Sequence, residues 1–303
     1  MRYKQRVVLG GCALCIGLAF SQVQADVVSF NISDSTTTWT PITYPNNNNP
    51  DPSNDQQTGS EEGDVVGNVA HPSVYTIFAN AGTPSLTDGT LGFRIRLGAD
   101  ANPPGFKGAA FVGIDANGDG ALDLFIGVNN SGTPNQIGLW NPGNGLNTSP
   151  STTTIASTPL VSYTETGTNY LFVPVTTTND PTVGTATDID GGGQNDYFLS
   201  FSVPFSDVVT QLSLNGVTNF NQNTSLSYVI ATSTQGNSLN QDLNGVPKTY
   251  DASATWASLG AQSVTFNSAG TAVPEPSSLS LMVLGILVVA GIRQYRSTAS
   301  KGA

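Results

Sequence analysis

Cysteine, histidine and basic residues are scarce in this 303-residue chain, and their scarcity excludes several kinds of active site. Both cysteines, Cys12 and Cys15, lie near the start, so residues 26–272 have neither a disulfide nor a Cys–His pair. The single histidine, His71, precedes a proline, and the sequence has no G-x-S-x-G elbow and no usual set of zinc ligands. We therefore expect that the protein is not an enzyme. An exported hydrolase is kept as an alternative, because a glycosidase needs only two well-placed carboxylates.

Positive charge is the next feature that is missing. Residues 26–272 hold four of the 10 Lys and Arg residues and 20 of the 21 Asp and Glu residues, a net charge of −16. A surface that binds nucleic acid needs clustered basic residues, so nucleic acid is excluded as a partner. An acidic body of this kind suits cations, neutral sugars and a solvated surface.

Helical spacing is also nearly absent between residues 26 and 272. Apolar residues come in roughly a dozen short runs separated by Gly, Pro, Asn and Asp, which is typical of strands joined by turns. One run places apolar residues and arginines on opposite faces: Leu91, Phe93, Ile95 and Leu97 against Arg94 and Arg96. We predict an all-β fold, an antiparallel β-sandwich or jelly roll, in one domain over residues 26–272. A propeller would need a repeat of about 40–50 residues, which the sequence lacks.

Three segments of this body do not read as strands. A short helix is predicted after Pro204, with Ser206 as its N-cap. Residues 45–64 contain no apolar residue except proline, and we expect an exposed loop or a linker there. Residues 176–196 are predicted to be a second long connection.

One loop has the residue spacing of a calcium site. In DANGDGALD, Asp115, Asn117 and Asp119 occupy positions 1, 3 and 5, Ala121 offers a backbone carbonyl at position 7, and Asp123 occupies position 9. Calcium takes six to eight oxygen ligands, and a glycine at position 6 allows the sharp turn. Position 12 is not Glu and the flanks predict strands, so the pattern resembles β-hairpin calcium loops rather than an EF-hand. The alternative is a hairpin turn with solvated acids.

A second candidate cation site lies in DIDGGGQND. Asp188, Asp190 and Asp196 are its candidate ligands. The three consecutive glycines describe a flexible turn equally well.

The two ends of the chain carry targeting features. Residues 1–25 combine basic residues, an apolar run and small residues, which predicts a secretory signal peptide cut after Ala25. Near the other end, Pro274, Glu275 and Pro276 precede an apolar run at residues 279–292 and then Arg293 and Arg296. That run is shorter than the roughly 20 residues of an ordinary membrane helix. An ordinary C-terminal anchor is the alternative to a sorting signal, with the basic side in the cytoplasm.

Residues 273–297 resemble the PEP-CTERM sorting signal. The Pro-Glu-Pro motif, the apolar span and the arginines occur in that order. The resemblance implies a Gram-negative bacterium, transient membrane insertion, and recognition by an exosortase after a signal peptidase has removed the leader. The mature protein is then expected on the outer surface or in the exopolysaccharide matrix, with a structural or adhesive role.

The body also resembles carbohydrate-binding and DOMON-type β-sandwich modules. A strand, the loop at residues 115–123, a further strand and the DYFLSFSVPF run before a short helix carry this resemblance. It implies a polysaccharide-binding module as the alternative function. Four aromatics are candidates for stacking on sugar, with core packing as their alternative role: Trp140, Tyr163, Tyr170 and Trp256.

Overall fold

The structure, a computed structural model, describes residues 30–45, 51–58, 60–83, 85–100 and 105–268. These residues form 12 strands: β1 (Thr40–Pro41), β2 (Val74–Ala79), β3 (Thr90–Leu97), β4 (Ala109–Asp115), β5 (Leu124–Asn129), β6 (Gln136–Trp140), β7 (Val161–Tyr163), β8 (Tyr170–Pro174), β9 (Tyr197–Pro204), β10 (Ser225–Ser233), β11 (Asp242–Leu243) and β12 (Phe266–Asn267). The helices are α1 (Phe205–Leu214) and α2 (Trp256–Leu259), and 3₁₀ turns lie at Thr36–Thr38, Glu61–Gly63 and Pro150–Thr152.

The strands form two antiparallel sheets. One has five strands in the order β1-β2-β3-β9-β8, and the other has seven in the order β11-β10-β4-β5-β6-β7, with β12 paired to β10. The long central pair of the first sheet, β3 and β9, keeps register from Thr90↔Pro204 to Leu97↔Tyr197. The all-β prediction is confirmed.

One apolar core lies between the two sheets. The alternating residues of β3 and β9 face it, and Phe93 and Phe201 are directly opposite each other in the five-stranded sheet. Phe93 also meets Tyr228 of β10 edge-on, with ring centroids 5.4 Å apart, so side chains of the two sheets interdigitate. Each fully buried large side chain of this core stabilises the fold by about 1.5–3 kcal/mol. Two sheets with a shared core are a sandwich arrangement and not the separate blades of a propeller.

The outer face of each sheet is also covered in part. A cluster around Phe111, Trp140 and Trp256 lies on the outer face of the seven-stranded sheet. A second cluster around Trp39, Tyr75 and Phe198 lies on the outer face of the five-stranded sheet. Loops and the chain around residues 30–39 therefore supply additional layers, because the strands β2, β4 and β10 are apolar on both faces.

The predicted helix is present, but its N-cap prediction is wrong. α1 begins at Phe205 and Pro204 occupies the N-cap position, without a side-chain cap. The chain turns from β9 directly into the helix, so Ser206 is already inside the first turn, where its carbonyl accepts from Thr210 Oγ1 at 2.7 Å. Phe205, Val208 and Leu212 form the buried face at helical spacing.

The prediction that residues 45–64 form an exposed loop or a linker holds only in part among the residues that the structure describes: the segment has no strand and residues 52–54, 57 and 58 are exposed, but four of its acids are buried. Asp51 is 3 % exposed, Asp55 7 %, Glu62 3 % and Asp64 0 %. The segment is tied to β11, because Asp242 Oδ2 accepts the N–H of Val65 at 2.7 Å. Composition alone indicated a solvated segment, whereas specific hydrogen bonds bury its acids.

Candidate functional site

The predicted calcium loop connects two neighbouring strands. β4 ends at Asp115, β5 begins at Leu124, and these strands pair from Ile114↔Leu124 onward. Gly118 and Gly120 have φ values of 78° and 84° in the left-handed region, which glycine adopts without a side-chain clash. The two glycines therefore let the chain reverse within a short loop.

Asp115 organises this loop from its buried end. Its side chain is nearly inaccessible, and its Oδ1 accepts the N–H of Gly118 at 2.7 Å. Its Oδ2 accepts the N–H of Gly120 at 3.0 Å and Nε2 of Gln262 at 2.9 Å. Oδ2 thus uses both of its lone pairs, whereas Oδ1 keeps a second lone pair as acceptor capacity for a cation.

The other predicted ligands also bind loop backbone. Asn117 Oδ1 accepts the N–H of Asp119 and Asp119 Oδ1 accepts the N–H of Ala121, both at 2.9 Å. Asp123 Oδ2 accepts the N–H of Ala116 at 2.8 Å. Burial raises the pKa of Asp123 to about 6, against the lowering effect of the Ala116 N–H and with further raising by the neighbouring acids. The five predicted residues thus share one loop, but the carboxylate oxygens of Asp115, Asp119 and Asp123 do not all lie within 4.8 Å of one another. Calcium binding by this loop stays a prediction, with the plain hairpin turn as its alternative.

The second predicted site brings its three acids together. One carboxylate oxygen from each of Asp188, Asp190 and Asp196 lies within 4.8 Å of the others. Asp188 accepts the N–H groups of Gly191 and Gly193, at 2.7 and 2.9 Å. Burial raises the pKa of Asp190 to about 7, the Gly192 N–H lowers it, and the Asp188 carboxyl raises it further. Whether this site binds a cation stays a prediction.

Asp196 has a cationic partner that the sequence did not reveal. Arg96 lies on the outer face of β3, and its guanidinium donates to Asp196 Oδ2 at 3.1 Å and to Asp180 Oδ2. All three side chains are at most 1 % exposed. Alternation along β3 predicted the face but not its burial, because residues 30–39 and 175–186 cover it. We call Asp180 and Asp196 the arginine-paired acids.

A further group of acids was missed entirely. Carboxylate oxygens of Asp51, Asp55 and Asp242 lie within 4.8 Å of one another, and all three side chains are buried. We call these three residues the aspartate cluster. No sequence pattern joins them, since about 190 residues separate the polar segment from β11.

The four aromatic candidates are not exposed. Trp140 and Trp256 are 0 % and 1 % exposed, and Trp256 Nε1 donates to the carbonyl of Asn147 at 2.8 Å. Tyr163 and Tyr170 are half-buried against the central core. The prediction of an exposed stacking platform is therefore wrong for Trp140 and Trp256, where the alternative of core packing applies, and stays a prediction for the half-buried Tyr163 and Tyr170.

Comparison with protein-family models adds one finding. Residues 272–296 match the model described as the PEP-CTERM protein-sorting motif. The chain carries a PEP-CTERM sorting motif. The recognition of this signal in the sequence is therefore confirmed, and the motif indicates an exported protein that an exosortase recognises.

No curated protein and no solved structure matches the chain. The resemblance to carbohydrate-binding and DOMON-type modules is not confirmed by these comparisons. In the part of the chain that the structure describes, no helix has the length and apolar character needed to cross a membrane. Ala25, Pro274, Glu275, Pro276, Arg293, Arg296 and the apolar run at residues 279–292 lie outside the described residues.

Proposed function

We propose that this PEP-CTERM protein is a calcium-stabilised structural or adhesive protein of the cell surface or exopolysaccharide matrix of a Gram-negative bacterium. The sorting motif at residues 272–296 is the observation that carries the location. Signal peptidase and exosortase are its partners during export, with transient insertion in the membrane. The proposed role is not catalytic.

The loop at residues 115–123 supports the calcium part of the proposal. Asp115, Asn117, Asp119 and Asp123 supply side-chain oxygens, and the Ala121 carbonyl supplies one from the backbone, which is the hard ligand set that Ca²⁺ prefers. The glycine turns hold these residues in a single hairpin connection. A cation here offsets the mutual repulsion among the loop acids. That repulsion adds to the effect of burial in raising the pKa of Asp123.

Thermal unfolding with and without chelator tests the calcium site. A cation that binds only the folded form adds about 2.7 kcal/mol to the free energy of unfolding when its free concentration is a hundred times Kd. Because each kcal/mol moves Tm by about 2–4 °C in a domain of this size, chelating the loop's ion lowers Tm by about 5–11 °C. Asp119→Ala removes this contribution. If Asp119→Ala leaves the calcium dependence of Tm unchanged, the loop is only a hairpin turn.

Intact mass spectrometry of the secreted form tests the export part. We expect two cuts, one after Ala25 and one near Pro274–Pro276. A mature species that still carries residues 279–292 would mean that the tail is an ordinary anchor.

Polysaccharide binding remains the alternative function and exported hydrolysis the second alternative. The burial of Trp140 and Trp256 removes two stacking candidates, which makes binding the weaker proposal. A glycan array on the purified protein separates binding from a scaffolding role, and turnover of polysaccharide substrates is required for a hydrolase.

A further inference from the structure

We propose that the aspartate cluster, Asp51, Asp55 and Asp242, binds a second Ca²⁺ inside the fold, independently of the loop at residues 115–123. The site joins the polar segment before β2 to strand β11. It goes beyond the proposed function, because neither the spacing of the sequence nor the matched motif points to it.

The geometry suits one shared ion. Calcium–oxygen distances are about 2.3–2.6 Å, so two ligands of one ion are at most about 5 Å apart. The three carboxylate oxygens lie within 4.8 Å of one another, which meets this limit. A ligand set made only of oxygens selects hard cations such as Ca²⁺ over zinc or copper.

Several oxygens of the segment are buried and have no hydrogen-bond donor. They are Asp51 Oδ2, both carboxylate oxygens of Asp55, Gln56 Oε1 and Asp64 Oδ1. Asp51 and Asp55 are more than nine-tenths buried, and their free oxygens belong to the same group of converging carboxylates. The backbone amides near Asp55 lower the pKa of its carboxyl without reaching hydrogen-bond geometry. Buried anionic oxygens without donors are costly to the fold unless a cation or a proton neutralises them.

The remaining oxygens of the site are held in place by backbone. Asp51 Oδ1 accepts the N–H of Gly245, and Asp242 Oδ2 accepts the N–H of Val65 at 2.7 Å. Asp64 Oδ2 accepts the N–H of Asn54 at 2.9 Å. These bonds orient Asp51, Asp242 and the neighbouring Asp64 before a cation arrives, whereas both oxygens of Asp55 have no hydrogen bond.

Protein cations do not neutralise the cluster. Among the described residues, the ion pairs within 4.0 Å involve only Asp180 and Asp196 as acids. Lys248 is the basic group that acts on Asp55, and its side chain is exposed. Burial and mutual repulsion therefore both oppose the charged forms of these converging carboxylates. A divalent cation removes both causes of instability together.

The test uses full-length protein that carries Asp119→Ala, so that the loop at residues 115–123 contributes no calcium response. We expect Tm of this protein to rise by about 5–11 °C in millimolar CaCl₂ relative to EDTA, at a hundredfold excess over Kd. Adding Asp55→Asn should abolish this rise, because it removes a charged ligand of the proposed site. The substitution should spare the fold, since neither oxygen of Asp55 has a hydrogen bond to lose. Asp251→Asn is the matched control, because Asp251 is a fully exposed acid nearby in the sequence, and it should keep the rise.

Behaviour in EDTA separates loss of a metal site from loss of folding. Asp55→Asn removes an unpaired buried charge, so in EDTA it should melt at the same temperature as its parent or higher. If the variant melts at a lower temperature in EDTA, the proposal is tested instead by titrating the folded Asp119→Ala parent with calcium in a calorimeter. We expect at least one bound ion, and a result of no bound ion would overturn the proposal.

The remaining outcomes are also decisive. A calcium response that survives Asp55→Asn but disappears with Asp190→Asn would assign the ion to the acids at residues 188–196 and overturn the proposal. An Asp119→Ala protein with no calcium response overturns it too, while leaving the loop proposal intact. A wild type and an Asp119→Ala variant with equal responses would instead contradict the loop.

Discussion

The arginine-paired acids and the aspartate cluster are both groups of buried aspartates, but only the first group has a cationic partner. Asp180 and Asp196 are fully buried and share the guanidinium of Arg96. The aspartate cluster is at most 7 % exposed, and within the described residues no Lys, Arg or His nitrogen lies within 4.0 Å of it. A neighbouring positive charge therefore opposes the effect of burial on the ionisation of an aspartate.

The pKa directions of Asp180 and Asp242 express this contrast, whereas Asp196 departs from it, because burial raises its pKa to about 6 although Arg96 lowers it. Burial acts to raise the pKa of Asp180, but the Thr182 hydroxyl and Arg96 outweigh it and lower the pKa overall. For Asp242, burial raises the pKa to about 8 and the charge of Asp55 adds to the effect. One group thus has its cation built into β3, whereas the other requires a proton or an external ion.

Removing the built-in cation gives the largest expected effect. Arg96→Met leaves Asp180 and Asp196 buried and unpaired, and we expect a loss of about 3–5 kcal/mol in the free energy of unfolding. The corresponding fall in Tm is about 6–20 °C, measured by calorimetry in calcium.

The exposed Lys107 provides the control for this experiment. Lys107→Met removes the same charge from the surface and should change stability by less than about 0.5 kcal/mol. Adding Asp180→Asn and Asp196→Asn to Arg96→Met should restore most of the loss. Equal melting of Arg96→Met and Lys107→Met would show that the buried pairing contributes nothing.

The pH dependence in chelator separates Asp180 from the aspartate cluster by sign, whereas Asp196, whose pKa burial raises to about 6, follows the sign of the cluster. Acids whose folded pKa is raised bind more protons in the folded state, so their contribution to stability is lost as pH rises through the folded values. For Asp55, with a pKa raised from 3.8 to about 6, this amounts to about 2 kcal/mol between pH 4 and pH 7. Asp180 has the opposite dependence, because its lowered pKa gives stability that is lost only in acid.

Urea unfolding in EDTA from pH 5 to 8 measures the prediction. The other titratable groups around the cluster are Asp64, Glu61, Lys248, Tyr44 and Tyr250. Stability should fall with rising pH in the wild type and fall less in Asp55→Asn. Millimolar calcium should abolish the fall above pH 7. A flat profile in EDTA would mean that the cluster acids are not neutralised by protons in the ion-free protein.

The sequence predicted the strands well because apolar residues that alternate along a strand all lie on its buried face. Leu91 and Phe93 face the central core as their period-2 spacing requires, and the loop at residues 115–123 joins adjacent strands because apolar runs flank it closely. The motif at residues 272–296 was recognisable because its parts are contiguous.

The aspartate cluster was not predictable for the opposite reason. Asp51 comes from a segment that composition alone predicted to be an exposed loop, Asp242 lies about 190 residues further along the chain, and only the fold brings them together. Arg96 was placed on the correct strand face, but nothing local showed that Asp180 would approach it from a distant connection. Pairings over long sequence separations leave no periodic signal, so the sequence did not show that these residues meet.

A hydrogen bond within the arginine-paired group gives the smallest expected effect. Thr182 Oγ1 donates to Asp180 Oδ1 at 2.7 Å, and Thr36 Oγ1 donates to the same oxygen at 3.3 Å. Thr182→Val keeps the shape of the side chain and removes one donor, while Arg96 still neutralises the charge. We expect a loss of about 1–1.5 kcal/mol in the free energy of unfolding, near the low end for a bond to a charged group, and a fall in Tm of about 2–6 °C.

Thr177→Val is the control, because it lies at an exposed position of the same connection, and its stability should stay within about 0.5 kcal/mol of the wild type. The comparison with Asp55→Asn sharpens the contrast between the two groups, because removing a polar group destabilises the arginine-paired side and stabilises the ion-free aspartate cluster. If Thr182→Val were neutral, the lowered pKa of Asp180 would have to come from Arg96 and the remaining donors, the Thr182 N–H among them.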